Sequence, residues 1–198
     1  MTTLTDIRDR VRSDLRDLDP DASRWSDAEL DRHITRALAD VSLAAPLEAA
    51  TTVATTPGSR ELTTIVLPDF LEVESVEIPM DTFPPRHVPF SVWAATITLD
   101  LPSPPEGERA RVRYLARHTL DQQGSTLPEA LDEVLATGAA GHAAIAWSAF
   151  AIDRLTAGDD VAERFRTWGE ARLGAFREQL REHGRPRRLR SRRRTATG

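Results

Sequence analysis

Apolar positions along this chain change period twice, and the changes divide it into helical, stranded and helical stretches. Leu4, Ile7, Val11, Leu15 and Leu18 fall on one face of a helix predicted over Thr5 to Leu18, which Asp19-Pro20-Asp21 ends. Ser26 followed by Glu29 is a capping box, and Trp25 with Leu30 can form the hydrophobic staple of a second helix. Leu30, Ile34, Leu38 and Val41 are its buried stripe and Pro46 closes it. From Thr51 to Ala116 the period becomes two. Strands are predicted over Thr51 to Thr55, Glu61 to Leu67, Leu71 to Ile78, Val88 to Val92, Thr96 to Leu99 and Arg109 to Ala116. The last alternates Ala110, Val112, Tyr114 and Ala116 against Arg111, Arg113, Leu115 and Arg117. Pro57-Gly58, Pro68-Asp69, Pro84-Pro85 and Pro102 to Gly107 mark the turns.

The helical period returns at Leu127, after Ser125, Thr126 and Pro128 signal a helix start. No charge interrupts Val134 to Ile152. One stripe reads Leu131, Leu135, Gly138, His142, Ile145, Ala149 and Ile152; a second reads Ala136, Ala140, Ala143, Trp147 and Phe150. A helix apolar on two faces is buried on two faces, and the second is expected to meet another copy of the chain. The run is long enough to span a bilayer, which takes roughly 20 residues. Its alanines and glycines, and acids rather than basic anchors at its ends, make it a soluble core helix instead, with no membrane partner. A break at Ala157-Gly158-Asp159 leads to a last helix with Val161, Phe165, Trp168, Leu173, Phe176 and Leu180 inward, stopped by Gly184. The fold class is therefore α+β. Residues 1–50 and 117–184 form one helical domain, 51–116 a small inserted antiparallel sheet or barrel, and 185–198 a basic tail.

Composition sharpens this picture. All 26 basic residues are Arg, and Cys is absent. Phosphate-loop and Schiff-base lysines, thiol nucleophiles, disulfides and cysteine metal sites are thereby excluded. Met1-Thr2-Thr3-Leu4 leads straight into helix-like sequence without a signal peptide. The histidines at 33, 87, 118, 142 and 183 lack ligand spacing; Asp17, Asp19 and Asp21 lack the glycine and bidentate Glu of a calcium loop. His33 and His142 read as packed or solvated side chains, and Asp69, Glu72, Glu74 and Glu77 as a solvated strand face. No catalytic, metal-binding or cofactor-binding residue emerges, and the chain does not read as an enzyme. The net charge of −5 is uneven: residues 185–194 hold seven Arg and no acid, which leaves −12 on residues 1–184. An acidic body with a basic tail suggests two different partners.

Two N-terminal helices with Arg24-Trp25-Ser26-Asp27, Glu29 and Leu30, an inserted β region, the Ala/Gly-rich helix from Pro128 to Trp147 and the helix with Phe165 and Trp168 cover nearly the whole chain. This order resembles the head–tail connector proteins (adaptor, head-completion or tail accessory) of tailed bacteriophages, with a β region larger than in the smallest connectors. The resemblance implies a structural virion protein of the neck, assembled in the host cytoplasm. Copies would form a homo-oligomeric, dodecameric ring below the portal protein, extend the DNA channel and dock tail or nozzle proteins. It implies portal contacts through Arg187, Arg188, Arg190, Arg192 and Arg193, and the second apolar stripe is where a subunit interface through Ala136, Ala140, Ala143, Trp147 and Phe150 is expected. DNA would pass along the lumen without sequence-specific binding. The alternative is a DNA-binding accessory protein that sets its arginine tail on phosphates. The connections Pro79 to Pro89 and Leu101 to Gly107 exceed what hairpins need, and are expected to touch the tail or a neighbouring subunit.

Overall fold

The computed structural model describes residues 2–153 and 159–188. The chain divides into two units, one of residues 1–45 with 118–198 and one of residues 46–117. The first contains α1 (Leu4–Leu15), α2 (Asp27–Ala44), α3 (Asp132–Asp153) and α4 (Asp159–Arg188). The second contains β1 (Leu47–Ala54), β2 (Glu61–Thr63), β3 (Phe70–Glu77), β4 (His87–Val88), β5 (Phe90–Trp93), β6 (Thr96–Leu99) and β7 (Arg109–Ala116). The class is α+β, as the periodicity predicts.

In the helical unit α3 is the centre, with α1, α2 and α4 packed around it. Ile7, Val11, Leu30, Ile34, Val41, Leu135 and Phe176 join its alanines in one core. α1 starts from a second capping box, Thr3 with Asp6. It ends a turn earlier than predicted because Arg16 adopts the left-handed conformation and returns its N–H to Arg12 and Ser13. Leu18 is consequently 65% exposed rather than on the buried face. The expected box of Ser26 and Glu29 starts α2. Pro128 leads first into a 3-10 turn, Glu129–Leu131, and α3 proper begins at Asp132. The stretch Glu129–Ala151 is long and apolar enough to cross a membrane, but 72% of its apolar window is buried within the chain. α4 runs past Gly184 to Arg188. A Cβ at Gly184 would stand 3.3 Å from the Ala44 carbonyl oxygen, so this glycine marks a helix contact rather than a stop. Most of the predicted break before α4, and Arg190, Arg192 and Arg193, lie outside the described residues.

The β unit consists of two antiparallel sheets, ordered β1-β7-β3-β4 and β2-β6-β5. β7 is the spine of the first, pairing Val112 with Thr51 of β1 and with Val76 of β3. Its alternation is realised as predicted: Ala110, Val112, Tyr114 and Ala116 are buried, and with Leu62, Val76, Ile97 and Leu99 they make a core that both sheets share. The first strand begins at Leu47 instead of Thr51. The second predicted strand is cut short at Thr63, where a 3-10 turn, Thr64–Val66, takes over.

Candidate interaction surfaces

At the α3–α4 crossing three glycines replace side chains. A Cβ on Gly141 would lie 2.9 Å from the Leu173 side chain and 3.2 Å from the Gly169 carbonyl oxygen. One on Gly169 would meet Ile145 at 2.8 Å and the Gly141 carbonyl oxygen at 3.0 Å. Gly138 likewise sits under the ring of Phe176. The two helices thus approach backbone to backbone, which only glycine permits. Part of the predicted subunit interface lies inside the chain. Ala136, Ala140 and Ala143 are wholly buried inside this one chain and have no surface to offer a neighbour. α1 and α2 cover the faces that the hairpin partner α4 could not. The outer part of the stripe differs: Trp147 is half-buried and Phe150 is 51% exposed.

Trp147 belongs to an aromatic cluster that explains the Arg24-Trp25-Ser26-Asp27 motif. Trp25 lies 6.4 Å from Trp147 and 6.0 Å from Phe165, and Trp147 and Phe165 are 4.5 Å apart, all tilted. The Arg24 guanidinium lies over Trp147 and Phe165 at 5.4 and 5.3 Å. Asp27 accepts from Arg8 and Arg12, while Arg12 also reaches the Trp25 carbonyl and the buried Asp17. Asp17 in turn accepts from the Arg24 backbone N–H at 2.7 Å. Arg12 therefore fixes the α1–α2 connection by charge-assisted bonds. The hydrogen bond from Arg12 holds the exposed Asp27 carboxyl below its usual range.

Spacing does not single out His118, yet it ties the end of α2 to the segment that re-enters the helical unit. Its backbone N–H donates to Ser42 Oγ at 3.0 Å, and its ring Nε2 lies 2.9 Å from the Ala45 carbonyl oxygen. Its Nδ1 faces Thr126. A histidine that closes both ends of an insertion leaves no periodic signal, because its partners come from two distant turns. His142, the histidine inside α3, lies 3.9 Å from Asp40 across a groove of about 570 Å³ that Leu43, Phe176 and Leu180 also line. Burial, and next the Arg36 charge, lower its pKa. Burial and the Arg32 charge bring His33 down to about 4. Neither belongs to a metal-ligating cluster among the described residues.

Among the described residues, the three most exposed large apolar side chains belong to the β unit. Phe83 is 97% exposed, Trp93 85% and Ile65 82%. Trp93 and Ile65 lie at one end of the three-stranded sheet, where Trp93 pairs with Thr96, Thr96 with Thr63, and the Thr64 N–H donates to the Ala95 carbonyl. Phe83 rides on the Pro79 to Pro89 connection. Glu77 anchors the start of that loop, and this corrects the solvated-face expectation for it. Its carboxylate is 3% exposed, ion-pairs with Arg111 and Arg113 at 3.2 and 3.7 Å, and accepts from the Asp81 N–H. Glu72 and Glu74 are exposed, as expected.

Of the five arginines expected at the portal, Arg187 and Arg188 end α4 and the other three fall outside the described residues. Comparison with curated proteins gives no match. The family model described as SU10 adaptor protein matches residues 2–196, which takes in both units and all seven tail arginines. The connector resemblance is borne out at that level: the chain belongs to the SU10 adaptor protein family, and its role is that of a phage adaptor.

Proposed function

We propose that this chain is the head-to-tail adaptor of a tailed phage, assembling as a ring below the portal, extending the DNA channel and docking the tail. The observation that carries the reading is the family match over residues 2–196, which spans both units. Charge supports the conduit role: with −12 on residues 1–184, the body repels phosphate rather than gripping it. Arg187, Arg188, Arg190, Arg192 and Arg193 are assigned to acidic clefts of the portal, where guanidinium forks bind carboxylates bidentately. On the helical unit, Trp147 and Phe150 remain as the neighbour-facing part of the predicted stripe. Phe83, on its anchored loop, is assigned to tail or nozzle proteins. No catalytic residue, cofactor or metal is invoked.

The test is assembly. Native mass of the purified 22.0 kDa chain, alone and with portal, is expected to give a closed multiple of the chain mass. Removing residues 185–198 should spare folding and abolish attachment to DNA-filled heads. A truncated chain that still joins the portal, and loses only salt-sensitive DNA binding, would transfer the tail to DNA and favour the accessory-protein reading.

A further inference from the structure

The three-stranded sheet β2-β6-β5 has two open edges, and their free groups match each other. The Asp100 N–H donates to the Pro89 carbonyl at 2.9 Å, and Phe90 pairs with Leu99. Antiparallel alternation then turns the N–H and C=O of Ser91 and Trp93 toward β6, and those of Phe90 and Val92 away from it. On β2 the Leu99 N–H donates to the Arg60 carbonyl at 2.8 Å and Glu61 pairs with Thr98. Leu62 therefore bonds inward, while Glu61 and Thr63 turn their backbone groups outward. The outward Glu61 N–H is already taken by Ser59 Oγ at 3.1 Å, which leaves the Glu61 C=O and the Thr63 N–H open among the described residues.

From these edges we infer that copies of the chain join through a continuous sheet, β5 of one copy pairing in parallel with β2 of the next. β2 and β5 both run antiparallel to β6, so they are parallel to each other, and a head-to-tail repeat brings them together in that sense. A parallel bridge with Val92 opposite Leu62 uses the N–H of Val92 to the C=O of Glu61 and the N–H of Thr63 to the C=O of Val92. It does not ask for the Glu61 N–H that Ser59 occupies. The same register places Trp93 beside Thr63 and Ile65 of the next copy, and so covers the two large apolar side chains at that end of the sheet. β5 reads Phe90-Ser91-Val92-Trp93, without a charge, the opposite of how an unused edge is protected. A second copy is the occupant because one repeated contact satisfies both edges, whereas a foreign strand on β5 would leave β2 open. Two hydrogen bonds fall far short of the roughly 800 Å² per partner that a stable interface buries, so the junction sets register while other surfaces add area. This deepens the ring reading and rests on it.

The absence of cysteine gives a clean test. In the inferred register Ser91 stands beside Glu61 of the next copy; both are exposed, and parallel neighbours fall within disulfide reach. The full chain carrying both E61C and S91C is expected to oxidise into a ladder of covalent multimers, while each single variant stays uncrosslinked. Mixing the two single variants should give only their heterodimer. Circular dichroism checks that the variants keep the native fold. A wild-type chain that assembles while the double variant gives no ladder overturns the sheet junction and leaves the ring standing. Dimers of S91C alone would mean edge-to-like-edge pairing and overturn it too. A chain that neither assembles at its highest soluble concentration, with or without portal, nor crosslinks overturns both.

Discussion

Replacing glycines in the helical hairpin separates propensity from packing, because the same substitution should have opposite signs at two positions of α4. Alanine is favoured over glycine in a helix interior by about 1 kcal/mol. At Gly174 nothing lies within 4 Å of the added Cβ, so Gly174→Ala keeps the whole gain. At Gly169 the methyl would enter at 2.8 Å from Ile145, 3.0 Å from the Gly141 carbonyl oxygen and 3.2 Å from the Ala144 Cβ. Ile145 can rotate, but a carbonyl on a packed helix cannot, so the hairpin must spread. Overpacking of this kind costs about 1–3 kcal/mol, and the backbone clash puts it at the upper end, so that Gly169→Ala loses about 1–2 kcal/mol net. For a chain of this size each kcal/mol shifts Tm by roughly 2–4 °C. Thermal melts followed at 222 nm should therefore place Gly174→Ala above wild type and Gly169→Ala below it. A Gly169→Ala protein as stable as Gly174→Ala would show that α3 and α4 do not approach as closely as the crossing requires.

Three further outcomes follow from the same geometry. Ala140→Arg buries an unpaired charge in the core of one chain and should unfold the helical unit, with a cost of several kcal/mol, whereas Phe150→Ser should fold normally and weaken assembly; circular dichroism with native mass distinguishes these, and a folded Ala140→Arg protein would return the alanine stripe to the interface. Glu77→Ala strips the Asp81 N–H of its acceptor, so amide exchange at Asp81 should rise about tenfold, the equivalent of a hydrogen bond worth about 1.4 kcal/mol. His33 titrates at about 4 in the fold, against about 6.5 in the unfolded chain, so only the unfolded state takes up its proton between those values. The contribution of His33 to stability should accordingly be level above pH 6.5 and fall as pH drops toward 4, so that His33→Gln should lessen the acid loss while the part due to His142 remains, which denaturant titration across this window can follow.

Periodicity is legible in the chain, and contact between distant turns is not. The capping box at Ser26, the alternation of β7 and the double-faced apolarity of α3 are local patterns, and each appears where the pattern places it. Leu18 fits the stripe of α1 by spacing, yet Arg12 and Asp17 fold the chain away one turn earlier. Gly184 has the residue type of a stop and the position of a helix contact. Glu77 shares its spacing with Glu72 and Glu74; the register of β3 against β7 sets it opposite Arg111 and within reach of Arg113.

The alanine stripe carries the larger lesson for the site. Two apolar faces on α3 require two sets of neighbours, and a hairpin partner covers only one of them, which points to another subunit for the rest. α1 and α2 supply that cover from within the chain, packing on α3 in one core with its alanines. An apolar stripe reports how much cover it needs and not which chain provides it. The unpaired edges of β2 and β5 are a firmer guide to assembly, because a backbone N–H or C=O cannot be satisfied by repacking side chains. Their cover must come from water or from another strand, and β5 carries no charge to keep a strand away. The β unit, with Trp93 and Ile65 at the end of that sheet, is therefore where an interface in this adaptor should first be sought, ahead of the helix that dominates its sequence.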